Sequence, residues 1–336
     1  MSKKKRVKMK SASKIKISGR WLSLLSIVYL YLPLLVFFIA WTKWYFALLA
    51  VAASVYGCAA LLKDDAHSPV QNDGVYISIM PLVIISLCLL ITGLLSGWGG
   101  WMPQASDWTK HNALLKDLIH YDWPVYYKEA ASPSMLTYYI GQYLIPALIG
   151  KLAGSFLAAE VAMYFWAEIG LFLVALHLIK ILNAYTWFKQ FSVIAIFILF
   201  NGCLILSQKL FQIGTGISGN DNQWMTSVNG SQLQYRGNYV DLRWVMPQCL
   251  AAWLTISLWW SRRQKVDLYI PLMLPALLCG ALSFLGIVIM AFICAVYESI
   301  RNKQSFQEFL KTAFSLPNVI TLIAIGMPLL LYFSGN

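Results

Sequence analysis

Residues 134–152, SMLTYYIGQYLIPALIGKL, decide how this chain is threaded. The segment is apolar enough either to cross a bilayer or to lie as a half-buried helix on one side of it. Gly141, Gln142 and Pro146 make it a poor spanning helix. Basic residues arbitrate. If the segment does not cross, 18 lysines and arginines fall in cytoplasmic segments and eight outside; if it crosses, everything downstream inverts and the split becomes 14 to 12. Cytoplasmic loops carry the excess of Lys and Arg, so the half-buried reading is expected. Both long polar loops, 97–134 and 207–243, then face outside together.

Working outward, the chain is 59% hydrophobic and only 12% charged. A soluble domain carries about 25% charged residues, so that class is excluded. The expectation is an all-α, polytopic helical membrane protein with about nine membrane helices. They are placed at 21–41, 44–62, 76–97, 155–178, 190–207, 244–260, 267–281, 283–299 and 317–333, several of them reaching the ~20 apolar residues a span needs. Residues 267–281 and 283–299, interrupted by Pro271, Pro275, Gly280 and Gly286, read as a hairpin that only partly crosses. Residues 304–314 put Phe306, Phe309, Leu310 and Ala313 on one face, as in a helix lying in the interface plane.

The net charge of +12 is not a nucleic-acid signal. Residues 1–20 hold nine Lys/Arg and no acid, ahead of the first apolar run. They read as a cytoplasmic tail on anionic lipid, and residues 21–336 as one membrane domain. No nucleic-acid partner is expected; membrane lipids are. Trp41 and Trp44, flanking a tight turn, read as interfacial anchors. All six cysteines lie in apolar runs without Cys-x-x-Cys spacing, which argues against a disulfide framework or a thiolate metal site.

Chemistry is expected in the loops. Residues 97–134 pack Asp107, Lys110, His111, Asp117, His120 and Asp122 between two apolar runs, and long ordered loops tend to carry function. Asp107 opens an amphipathic helix with Trp108, Leu115, Leu118 and Ile119 on its apolar side. In the functional reading Asp107 is a general base, while Lys110 and His111 bind an anion; the competing reading is that Asp107 or Ser106 merely caps the helix. In the second loop, Arg236 and Arg243 are placed to clamp a phosphate, unless Arg243 pairs with Asp241. Glu160, near the outer end of 155–178, is expected to reach the external site. Glu168 and His177, deeper on the same helix, are ionisable groups at membrane depth. No cofactor is expected; a divalent metal could bind through Asp107, Asp117 or His120, although no spacing demands it.

The stretch SGWGGWMPQASDW, the segment following Pro133 (SPSMLTYYIGQYLIPALIGKL) and RWVMPQCLAAWL resemble the GT-C class of polytopic glycosyltransferases. The resemblance covers most of residues 76–333. It implies an integral protein of the bacterial plasma membrane with a cytoplasmic N-terminus. It implies inverting transfer of a sugar from a polyprenyl-phosphate donor to an acceptor at the outer face, with Asp107 as the base. Lys110, His111, Arg236 or Arg243 would hold the departing phosphate. The chain departs from the family in the extra hairpin at 21–62 and in stopping at Asn336, which implies a minimal member, a fragment or one half of a pair with a partner subunit. The rival readings are a transporter or lipid flippase coupled through Glu168 and His177, and a non-catalytic envelope-assembly protein.

Overall fold

A computed structural model describes residues 14–67, 74–128, 133–200, 223–228 and 231–335, with the backbone alone at 65–67, 223–228 and 231–236. The described chain is predominantly helical, with only three two-stranded pairs. Five helices are long and apolar enough to cross a membrane: Gly19–Trp41, Trp44–Asp64, Phe156–Ile181, Ala281–Arg301 and Leu316–Ser334.

The chain begins with strand β1 (Lys14–Ile17), which pairs antiparallel with β2 (Val75–Ser78). The end of the basic tail is therefore tied to the segment ahead of the third helix, while residues 1–13 lie outside the described residues. Helices α1 (Gly19–Trp41) and α2 (Trp44–His67) form a hairpin. Its turn is closed by Thr42, whose hydroxyl donates to the Phe38 carbonyl at 2.6 Å. Trp44 is 77% exposed, as an anchor would be, but Trp41 is buried against Phe37 and Trp123. Helix α3 spans Ile79–Leu95. The turn after it needs glycine, because Gly97, Gly99 and Gly100 all have positive φ, a region costly for residues with a Cβ.

Helix α4 (Trp108–His120) buries Trp108, His111, Leu114, Leu115 and Leu118, one face at helical spacing. The short pair β3 (Tyr126–Tyr127) and β4 (Ser134–Met135) leads to α5 (Gly141–Ala153). Helix α6 (Phe156–Ile181) is capped by Ser155, whose hydroxyl accepts from the Ala158 amide. It is the central column, packed by α5, α1 and α3. Helix α7 (Trp187–Ile198), strands β5 (Gln223–Val228) and β6 (Ser231–Arg236), and helices α8 (Asn238–Trp244) and α9 (Met246–Trp260) follow. Then come α10 (Tyr269–Met273), α11 (Ala281–Arg301), α12 (Phe306–Ala313), α13 (Leu316–Thr321) and α14 (Met327–Ser334).

Of the nine expected spans, five reach spanning length. Helices α3, α7 and α9 have 17, 12 and 15 residues, although α7 ends next to residues 201–222, outside the described set. Residues 266–278 form three short pieces, Val266–Leu268, Tyr269–Met273 and Leu274–Leu278, with Pro271 inside the second and Pro275 at the start of the third, whereas α11, expected to be short, runs uninterrupted for 21 residues. Gly286 sits in it with open space where a Cβ would be and costs only the general glycine penalty, roughly 1 kcal/mol. Helix α12 has the expected amphipathic form and begins with a capping box between Ser305 and Glu308.

Residues 134–152 do not make a spanning helix. Helix α5 has 13 residues, about 20 Å. Its first turn is buried deep: Gln142 donates to the Tyr29 hydroxyl at 2.9 Å, and Tyr29 is the eleventh residue of the 23-residue α1. Its last turn is at the bundle end that holds Trp41, where Lys151 donates to the carbonyls of Ile119 and Tyr121. Irregular backbone leading to such a point must be satisfied internally. Tyr332 does this. Its hydroxyl accepts from the Tyr138 amide at 3.0 Å and faces the carbonyls of Leu136 and Tyr138 at 3.1 and 3.0 Å. The opposite bundle end is closed by a Lys265–Asp64 salt bridge of 2.9 Å and by Asn318, which donates to the Val266 carbonyl.

Candidate functional site

The two loop regions meet through tryptophan. The Trp98 indole donates to the Leu242 carbonyl and the Trp108 indole to the Arg243 carbonyl, each at 2.8 Å. His111 completes the seam, with Nε2 3.0 Å from the Trp244 carbonyl. A carbonyl only accepts, so Nε2 carries the proton and Nδ1 is left as an acceptor for the Tyr143 hydroxyl at 2.5 Å. The start of α4 is thereby fixed against α8 and α5.

Asp107 stands at this seam. It precedes α4 with helical φ/ψ and its side chain makes no capping bond. Among the described residues its half-buried carboxylate has no hydrogen-bond or salt-bridge partner. Capping therefore does not account for it. Lys110, one turn on, is exposed, with its ammonium 5.7 Å from the centre of the Tyr138 ring. Tyr138 donates to the Tyr139 hydroxyl, which also accepts from Gln248 at 2.8 Å. Burial, with the negative charge of Asp107 adding to it, raises the Tyr138 phenol above its ordinary value against the lowering hydrogen bond to Tyr139. Burial also raises Tyr139, which Lys110 and Gln248 counteract. Both phenols are neutral donors at neutral pH.

Arg243 has its carbonyl on Trp108 and its Nε buried with no partner among the described residues. Such a buried guanidinium nitrogen is costly to leave unpaired. The seam thus brings a free carboxylate, a lysine and a phenol pair together, with the backbone of Arg243 held beside them by Trp108.

The other expected residues lie differently. His111 is fully engaged: both ring nitrogens serve the fold, and burial lowers its pKa from the ordinary value despite the bond to Trp244. It is a neutral positioning group and offers no N–H to a ligand. Arg236 ends β6, paired with Gln223; its side chain lies outside the described residues. Glu160 is half-buried against the Gly99–Gly100 turn, where a Cβ on Gly100 would come within 2.8 Å of its Oε1, and it shares no described contact with Asp107. Asp117 accepts from Tyr127 at 2.6 Å and His120 Nδ1 faces the Lys116 carbonyl at 2.8 Å. Both are towards the far end of α4, about 15 Å (Asp117) and about 20 Å (His120) from Asp107. Among the described residues no three of His, Cys, Asp and Glu come together to hold a metal ion.

Tyr138, Tyr139, Tyr143 and Gln248 are the residues that sequence reasoning left out. The only signal was polarity in apolar runs: TYYIGQY leading into α5 and PQC at the start of α9. Comparison with protein-family models, with curated proteins and with solved structures finds no match to this chain.

Proposed function

We propose that this chain is a polytopic membrane glycosyltransferase of the GT-C kind, with its site at the bundle end that carries α4, α5 and α8. In this reading that end faces outside and the basic tail lies in the cytoplasm, as the 18-to-8 division of basic residues supports. The shorter helices α3, α7 and α9 complete the set of membrane helices around the five long ones. The observation that carries the reading is the Asp107 carboxylate, unpartnered among the described residues, one turn before Lys110 and next to Trp108, whose indole holds the Arg243 carbonyl.

The chemistry follows from those groups. An acceptor hydroxyl attacks the anomeric carbon of a polyprenyl-phosphate sugar from the face opposite the phosphate. The new C–O bond forms as the bond to phosphate oxygen breaks, and the phosphate leaves with the electron pair. The proton passes to Asp107 as general base, a contribution of typically 10²–10⁴-fold. Lys110 and Arg243 stabilise the charge gathering on the phosphate. His111 and Trp108 hold α4 in place, and Tyr139 with Gln248 offers donors to sugar hydroxyls.

The test is donor consumption in proteoliposomes containing labelled polyprenyl-phosphate hexose and a glycolipid acceptor pool. Wild type releases polyprenyl phosphate, and Asp107→Asn slows release at least 100-fold while inserting and folding normally. Asp107→Asn with near wild-type release removes Asp107 as the base and turns attention to Glu160. No release by wild type with any hexose donor tells against the glycosyltransferase reading itself.

A further inference from the structure

Glu168 lies near the middle of α6, 6% exposed, with Oε1 buried and without a hydrogen-bond partner among the described residues. Gly93 of α3 makes room for it, since a Cβ there would stand 1.9 Å from Oε1. The carboxyl lines an apolar groove of about 510 Å³ between α1, α3 and α6, walled by Leu25, Val28, Leu90, Phe165 and Ile169. Leu25, Val28, Phe165 and Ile169 are each about half exposed, so the groove opens sideways from the bundle. A second orphan, the Trp166 indole nitrogen, belongs to another side chain of the same groove.

Even when protonated this carboxyl leaves Oε1 without a donor, and as a carboxylate it costs free energy unless something pairs with it. Nothing on the lining helices does. Their described cationic side chains are Arg20, His177 and Lys180, all towards the opposite bundle end. His177 is about 13 Å along α6, with Nε2 held by Ser26 at 3.0 Å. Water does not settle in an apolar groove, and a lipid chain carries no donor at this depth. A second copy of the chain has no matching cation, because no described span carries Lys or Arg away from its ends.

We infer that this groove is the docking site for a membrane-spanning helix of a different polypeptide, one that places a lysine or arginine at mid-depth against Glu168. The inference rests on the membrane reading of the fold and not on glycosyl transfer. The ammonium or guanidinium would neutralise the carboxylate and donate to Oε1, and apolar residues a turn to either side would pack on Phe165 and Ile169.

The probe is a synthetic leucine-alanine spanning helix with one central lysine, compared with the same helix carrying leucine there. Association with the labelled full-length chain in phosphatidylcholine vesicles is read by energy transfer. The lysine helix is expected to associate at least tenfold more tightly than the leucine helix. Glu168→Gln should abolish that difference, and Ile169→Trp, a bulky change at an exposed rim, should weaken association with Glu168 untouched. Near-native far-ultraviolet circular dichroism and thermal stability of both variants check folding. Equal association of the two helices, or an undiminished preference in Glu168→Gln, overturns the inference. Self-association of the chain that depends on Glu168 without peptide also overturns it and assigns the groove to a second copy.

Discussion

His111 shows how one side chain changes meaning between sequence and structure. Its spacing from Asp107 suggested an anion ligand, yet both ring nitrogens are bound internally and burial lowers its pKa. The sign of the linkage follows. Above about pH 6.5 the ring is neutral in folded and unfolded chains alike. As pH falls below that value the unfolded chain binds a proton the folded one resists, so stability declines until the lower folded pKa is passed. Thermal unfolding in detergent should therefore fall from pH 7.5 to 5.5, and more shallowly in His111→Gln, whose amide still donates to Trp244. Equal slopes would mean that other groups set the acid response. Asp107 gives a second expectation: because it makes no capping bond, Asp107→Ala should change stability by less than about 0.5 kcal/mol. A true cap would cost about 1 kcal/mol.

At the scale of elements, α5 is the informative one. A helix that begins half-way into the bundle needs its preceding backbone paired, and Tyr332 supplies that from the last turns of the chain. Tyr332→Phe keeps the ring packed against Phe37 but removes the hydroxyl. It should cost about 1–3 kcal/mol, the penalty for leaving a buried polar group unmet, and increase hydrogen exchange at Tyr138. Unchanged exchange there would show that another group takes over. The Gln142–Tyr29 pair in the same region is worth less, since hydrogen bonds between membrane helices average about 0.6 kcal/mol. What fixes the depth of α5 is close packing: a Cβ on Gly141 would come within 2.6 Å of the Cys279 sulfur.

At the scale of the whole molecule, the contacts arrange the chain between two ends. Ser106 and Gly335 belong to the end with Tyr138 and Tyr332, and Lys303 to the end with Asp267 and Asn318. In a cysteine-free background, Ser106→Cys and Gly335→Cys should react with an impermeant maleimide from one side of the membrane and Lys303→Cys from the other. Labelling of Ser106→Cys and Lys303→Cys from the same side would break the proposed orientation of the bundle.

The sequence by itself determined that the chain is helical and apolar, that its first two helices form a hairpin at Thr42–Lys43, and that residues 304–314 make an amphipathic helix. These are local consequences of composition and period. It also marked Asp107 and Lys110, because charges between long apolar runs stand out. Only tertiary structure decided that Asp107 caps nothing, that His111 is a structural strut, and that Tyr138, Tyr139 and Gln248 stand beside them. Those facts depend on which carbonyls and hydroxyls come within hydrogen-bond reach across more than a hundred residues. The depth of α5 and the solitary position of Glu168 belong to the same class, because burial in a bundle is a property of neighbours that no single helix contains.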